Sequence, residues 1–344
     1  MKIINLESPS PQKRGFIHGE TLRDAIQEIA EIRLERMCNT SSFKRPKDVL
    51  ALAYDHRALL KNFDQDLYTE LASIAEASNC SLEQIIIVNH YTDMRDIAPR
   101  DHTDLGGCSI IYNPTSHGPL LGQTWDIHGN ALPYVIAMKL RSCVVFSITG
   151  CLGMTGLNNH GVGICINNLS SIDAVIGVVW PALVRKALTH ENATGACEEI
   201  MKAPNGSGRH FALADSKNFF GIETSGTKKK IVNQDPSKPY FHTNHCLDAE
   251  MRKTHIIRKD STTLERYKHL DEKVRHEDLS TPKKVFLALA QVSMAAPQRG
   301  APSHKTATCG TVVLDLAKKT MLACAGIANK ELASCPSSTI SLIN

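Results

Sequence analysis

From residue 19 to about 79, apolar positions recur three and four apart, as at Leu22, Ala25, Ile26 and Ile29 and again at Leu67, Leu71 and Ile74. This is the spacing of one buried helix face. Ser81, followed three residues later by Gln84, has the form of a capping box ahead of the apolar run 85–88. Beyond Asp104 the texture changes to short apolar or alternating runs: CSIIY, then NPTSHG, PLLGQTW, YVIAMKL and VVFSIT. Such runs between turn residues predict successive antiparallel strands joined by hairpins. Helical patterns follow over 181–189 and 192–202 and return over 263–274 and 282–292. Between and after them lie two further hairpins, turning at 215–218 and at 317–319. The order of helices, strands, helices, strands, helices and strands predicts an α+β layer arrangement, two antiparallel sheets with helices on their outer faces.

Composition narrows the function classes. The chain has 344 residues, and 39 Lys and Arg against 35 Asp and Glu leave a net charge of only +4. That argues against a nucleic-acid partner or a polybasic membrane surface. Hydrophobic residues make up 42% and charged residues 22%, enough to bury a large core. Eleven cysteines form no CxxC pair, and the opening MKIINLESPSPQKRGF has no apolar leader. A cytoplasmic protein with mostly buried free thiols is expected. The stretch 142–172 lacks Asp, Glu, Lys and Arg, but its Asn, Ser, Thr and Gly content predicts buried strands rather than a membrane span.

Gly106, Gly107 and Cys108 stand where helical texture gives way to strand texture. Two residues without side chains allow a nucleophile to approach a backbone carbonyl closely. GQTWD at 122–126 falls on the partner strand of the hairpin that Cys108 begins. Cys108 and Asp126 are therefore expected at the two outer ends of one hairpin, facing each other. A third cluster, HTNHC at 242–246, admits either a metal site or an oxyanion site.

Together, Gly107-Cys108, GQTWD and HTNHC resemble the isopenicillin N acyltransferase family of the N-terminal nucleophile (Ntn) hydrolases. GFIHGE at 15–20, NNHGVGICINNL at 158–169, PALVRKAL at 181–188, IETS at 222–225 and LERYKHL at 264–270 extend the likeness along most of the chain. The resemblance implies a four-layer αββα sandwich and a precursor that cuts itself between Gly107 and Cys108. It divides the chain into a mainly helical segment, 1–107, and a catalytic region, 108–344, which remain one folded unit as a heterodimer of associated fragments. Cys108 becomes the catalytic nucleophile, and its freed α-amine, with an ordinary pKa near 8, is the base. Asp126 orients or stabilises that amine, and the Asn244 side chain donates to the oxyanion. Ser225, Asn167 and Lys305 match positions implicated in processing or substrate positioning. Lys305 stands nearest to an arginine that the penicillin-forming relatives carry in the segment here reading SHKTATCG, and it lacks the planar fork. Ser109 and Ile110 also replace Thr-Thr, so a penicillin substrate is not implied.

The expected activity is an amidohydrolase or acyltransferase working on a small N-acyl or amide substrate through an acyl-Cys108 thioester. Water and an amine remain open as acceptors, since both use the same intermediate. No cofactor or metal is expected, although the chemistry admits a coenzyme A thioester as acyl donor. The basic run 228–230 is read as a solvated turn rather than a phosphate site. Two other classes stay open. One is a zinc hydrolase using His242, His245 and Cys246, whose spacing departs from HExxH. The other is an uncut, non-catalytic relative that acts as a binding protein.

Overall fold

A computed structural model describes residues 1–98, 107–257, 261–293 and 305–342; Gly106, Ser303 and His304 lie outside the described residues. The chain opens with β1 (Lys2–Leu6), followed by α1 (Pro11–Thr21), α2 (Arg23–Thr40), α3 (Pro46–Phe63), α4 (Gln65–Ala77) and α5 (Leu82–Ile97). Helix starts follow local chemistry. Ser10 and Asp64 accept from the backbone N–H groups of Lys13 and Leu67, and α5 carries the Ser81–Gln84 capping box.

Next come β2 (Ile110–Asn113) and β3 (Leu120–His128), then a 3-10 segment, Gly129–Tyr134. They are followed by β4 (Val135–Leu140), β5 (Cys143–Ile148), β6 (Thr155–Asn158), β7 (Gly163–Asn168), α6 (Trp180–Ala187) and α7 (Ala193–Lys202). The remainder is β8 (Arg209–Ala214), β9 (Phe219–Thr224), β10 (Lys229–Asn233), β11 (Tyr240–His242), α8 (Ala249–Arg252), α9 (Thr263–His276), α10 (Pro282–Gln291), β12 (Thr306–Asp315), β13 (Thr320–Ala325) and β14 (Thr339–Ser341).

The strands form an eight-stranded sheet, β1-β4-β5-β6-β7-β8-β9-β10, and a six-stranded sheet, β11-β2-β3-β12-β13-β14. Their inner faces share one core with the N-terminal helices and with α6 and α7. A second core lies between the outer face of the six-stranded sheet and α9 and α10. Strand alternation builds both: Val312 and Leu314 of β12 point into the first core and Val313 into the second. This is the expected αββα sandwich. The two sheets pack closely at Gly310 of β12, where a Cβ would lie 2.1 Å from the ring of Phe146 on β5.

Several sequence expectations need correction. The GQTW and YVIAMKL runs are not hairpin partners, because the 3-10 segment carries the chain from one sheet to the other. β4 pairs instead with β5 and, in parallel, with β1, a strand the pattern did not reveal. The run at 228–230 is only partly a solvated turn. Lys229 begins β10, and its Nζ donates to the carbonyls of Ile200, Met201 and Ala203 at the end of α7. Among the described residues no helix is long and apolar enough to cross a membrane.

Candidate active site

Cys108 lies just ahead of β2, fully inside the protein. The β2–β3 register continues past the strand end, because Thr124 N–H donates to Ser109 O and Gly107 N–H donates to Asp126 O at 3.0 Å. The hairpin thus sets Gly107, one residue before the expected Cys108, opposite Asp126. Three side chains from distant elements hold the N–H of the Gly107–Cys108 peptide and the carbonyl of the next one. Cys108 N–H donates to Asn244 Oδ1 at 2.6 Å. Cys108 O accepts from Asn167 Nδ2 at 2.9 Å and from Arg266 Nη1 at 2.8 Å.

Asp126 is buried, and its carboxylate oxygens accept from Thr308 Oγ1 at 2.7 Å and Thr124 Oγ1 at 3.3 Å. Thr308 faces Asp126 across the β12–β3 ladder, and the register shifts immediately beyond it, between Thr308 and Gly310. Such an irregularity re-aims a side chain locally. Burial pushes the Asp126 carboxyl up to about 6, against the pull of the Arg266 charge and the two hydroxyls. Burial and the nearby Asp126 carboxylate push the Cys108 thiol up to about 12, while the Asp126 backbone N–H facing the sulfur acts in the opposite direction. In the uncut chain the group is therefore a thiol at neutral pH.

Asn167 is oriented by its surroundings. Its Oδ1 faces Nδ1 of His210 at 3.1 Å and Nδ1 of His242 at 2.9 Å. With the oxygen facing two ring nitrogens, the amide N–H points at Cys108 O. The two rings stack with centroids 3.6 Å apart, and His242 Nε2 faces Glu223 Oε1 at 3.2 Å. Both nitrogens of His242 are thereby engaged, and His245 Nδ1 lies at hydrogen-bond distance from Thr243 and Thr263. Among the described residues no group of three or more His, Cys, Asp and Glu could hold a metal ion.

The sequence candidates divide into two sets. Gly107, Cys108, Asp126, Asn167 and Asn244 come together. In this state Asn244 accepts at Oδ1 and gives its amide N–H to Asn168 O at 2.9 Å, rather than presenting it at an empty oxyanion position. Ser225 instead closes a turn: its hydroxyl donates to Asp173 and accepts from the N–H groups of Thr227 and Lys228. Lys305 is exposed, and its carbonyl accepts from Gly129 N–H.

Arg266 lies within the LERYKHL run, and its role is not legible from the motif alone. Arg266 reaches Cys108 O, Ser109 Oγ and Asn244 Oδ1, and a Cβ on Gly107 would lie 3.0 Å from its Nη2. Burial lowers its pKa, and the Asp126 charge opposes that. A signal was present, since Thr263, Arg266, Leu270 and Lys273 form the buried stripe of α9 and an arginine on such a stripe needs an internal partner.

A family model described as acyl-coenzyme A:6-aminopenicillanic acid acyl-transferase matches residues 114–330, a stretch that contains Asp126, Asn167, Asn244 and Arg266. The 40 kDa form of acyl-coenzyme A:6-aminopenicillanic-acid-acyltransferase from Emericella nidulans is 22% identical over 247 residues, covering 69% of this chain and 68% of that protein. Among solved structures, a mutant of conjugated bile acid hydrolase from Clostridium perfringens aligns with a TM-score of 0.46 and 12% identity, covering 63% of this chain and 89% of that one. The Caenorhabditis elegans ortholog of N-acylethanolamine-hydrolyzing acid amidase aligns with a TM-score of 0.41 and 13% identity, covering 61% and 93%.

Proposed function

The chain belongs to the acyl-coenzyme A:6-aminopenicillanic acid acyl-transferase family, and on that premise we propose that it is a self-processing cysteine enzyme that breaks small amide bonds. The observation that carries this reading is the fixing of the backbone on both sides of the Gly107–Cys108 bond. Gly107 N–H rests on Asp126 O, Cys108 N–H rests on Asn244, and Cys108 O rests on Asn167 and Arg266. Such fixing is how a site brings attacking and attacked atoms together.

In processing, Cys108 Sγ attacks the Gly107 carbonyl carbon. The S–C bond forms, the C–N bond breaks, and the thiol proton ends on the Cys108 nitrogen. Water then hydrolyses the thioester, leaving a carboxylate on Gly107 and a free Cys108 thiol. The new α-amine titrates near 8 and lies beside the thiol it must deprotonate. It therefore replaces the proton acceptor that the buried thiol lacks.

In turnover, Cys108 Sγ attacks the substrate amide carbonyl while the α-amine takes the thiol proton and returns it to the leaving amine. Water completes hydrolysis of the acyl-Cys108 thioester, and an acceptor amine completes acyl transfer. An acyl-coenzyme A, the donor in the family's description, would acylate Cys108 to the same thioester and release the coenzyme A thiol. The fragments 1–107 and 108–344 remain associated, supported by the pairing of β1 with β4 and by α5, whose Asn89 side chain donates to Gly150 O and accepts from Leu152 N–H. The test is acid-quench mass spectrometry of the processed protein mixed with a reactive N-acyl amide. The expected result is the acyl mass on the peptide beginning at Cys108. Turnover with the acyl group on any other residue contradicts the reading.

A further inference from the structure

A buried chain of polar side chains stands behind Asn167, and the self-cleavage described above makes no use of it. Glu223, His242 and His210 are wholly buried. Glu223 Oε1 faces His242 Nε2 at 3.2 Å, and the carboxylate also accepts from the backbone N–H groups of Leu247 and Asp248. His242 Nδ1 and His210 Nδ1 both face Asn167 Oδ1, at 2.9 and 3.1 Å. His210 Nε2 lies 3.0 Å from Tyr240 Oη. Asn167 Nδ2 in turn donates to Cys108 O at 2.9 Å.

The protons along this chain can be counted. An amide oxygen only accepts, so a bond at Asn167 Oδ1 requires a hydrogen on each ring nitrogen that faces it. His210 then carries its one proton on Nδ1, and its Nε2 accepts from the Tyr240 hydroxyl. His242 likewise needs a proton on Nδ1, and its contact with Glu223 needs one more between Nε2 and Oε1. Without that proton two lone pairs would meet in a buried site. Turning the Asn167 amide over would instead set its oxygen against Cys108 O. Burial lowers the pKa of His210, His245 and His255 around the pair, which favours their neutral forms. Burial raises Tyr240, Tyr267 and Cys246, with the same consequence. Of the charged neighbours, Asp248 caps α8 and Arg252 donates to Cys246 O and Leu247 O. Burial lowers His242 as well, and Glu223 opposes that.

We propose that one proton shared by Glu223 and His242 sets the tautomer of His242 and thereby aims the Asn167 N–H at the Cys108 carbonyl, which makes Glu223 and His242 positioning residues for self-cleavage. The proposal rests on the self-processing reading above. Glu223→Gln tests it, because it keeps the shape and removes the shared proton. With its amide oxygen toward Leu247 N–H, Gln at 223 can only accept from His242 Nε2. A neutral His242 then turns a lone pair toward Asn167 Oδ1, and the Asn167 N–H leaves Cys108 O. Protonation of His242 at lower pH restores both donors. Fragment appearance is timed for wild type and Glu223→Gln made by cell-free translation, from about pH 5 to about pH 8. The variant should be slower by about tenfold or more at the upper end, and the ratio of the two rates should shrink several-fold toward the lower end. Groups that titrate alike in both proteins cancel in that ratio. Equal rates, or a ratio that does not change with pH, would overturn the proposal. Nitrogen-15 NMR of histidine-labelled Cys108→Ala gives a readout that needs neither cleavage nor the Gln variant, with His210 and His242 assigned by single substitution to Gln. Both rings should carry a proton on Nδ1, and a proton on Nε2 alone in either ring would overturn the proposal. If both rings carry it but wild type is never cut, the aiming of Asn167 stands and the self-processing reading fails.

Discussion

Arg266 Nη1 donates to the carbonyl oxygen of Cys108 at 2.8 Å across 158 residues of sequence. The same guanidinium reaches Ser109 and Asn244, so α9 ties the Cys108 backbone to the residue that accepts its N–H. In the proposed cleavage Gly107 becomes the C-terminus of the first fragment, and Cys108 O keeps its bonds to Arg266 and Asn167. We assign Arg266 a positioning role. Arg266→Lys keeps the charge but not the fork, and should slow self-cleavage by at least about tenfold; Arg266→Met should slow it by about a hundredfold, as expected for a misplaced reacting group. Time courses of fragment appearance on denaturing gels, with circular dichroism as the fold check, measure this.

Asn244→Ala removes the acceptor of Cys108 N–H and the amide that donates to Asn168 O. A loss of about a hundredfold in turnover is expected, typical of a polar group acting at a reacting centre. Asn167→Asp should cost about tenfold or more, because a carboxylate would face the Cys108 carbonyl in place of a donor. Steady-state kinetics on processed protein separate the two, and equal activity of either variant with wild type would remove that residue from the site.

The Asp126 carboxyl, raised to about 6 by burial, has a definite effect on stability. The folded chain holds this proton more tightly than the unfolded chain, whose carboxyl titrates near 4. The group's contribution is therefore fully present below about 4 and is lost as pH rises through about 6, a change on the order of 2–3 kcal/mol. Chemical denaturation of Cys108→Ala beside Cys108→Ala with Asp126→Asn, from pH 4 to 7, should show the first losing stability relative to the second over that window. A difference independent of pH would contradict it.

Much of the fold is legible in local pattern. The Ser81–Gln84 box, the hairpins at 215–218 and 317–319, and α9 and α10 all follow from residues within a few positions of one another. What pattern leaves out is non-local. β1 pairs in parallel with a strand more than a hundred residues away, and nothing in KIINL names its partner. The site divides in the same way. Counting along one hairpin brings Cys108 and Asp126 together to within one residue, Gly107 being the one opposite Asp126, whereas Thr308 and Arg266 arrive from β12 and α9. Lys305, nearest in sequence to the relatives' arginine, lies exposed, while the guanidinium beside Cys108 comes from a different element.

The fragments 1–107 and 108–344 should elute together on gel filtration under native conditions and separate only in denaturant. They share the eight-stranded sheet and one core, so parting them would expose β4 and the apolar faces of α2 and α5. Elution as two native species would contradict this.

The most direct measurement is denaturing mass spectrometry of freshly purified wild type beside Cys108→Ala. The account predicts two species in wild type, ending at Gly107 and beginning at Cys108, and a single intact chain in the variant. Wild type that stays whole on prolonged incubation, or a variant cut at the same bond, would contradict it.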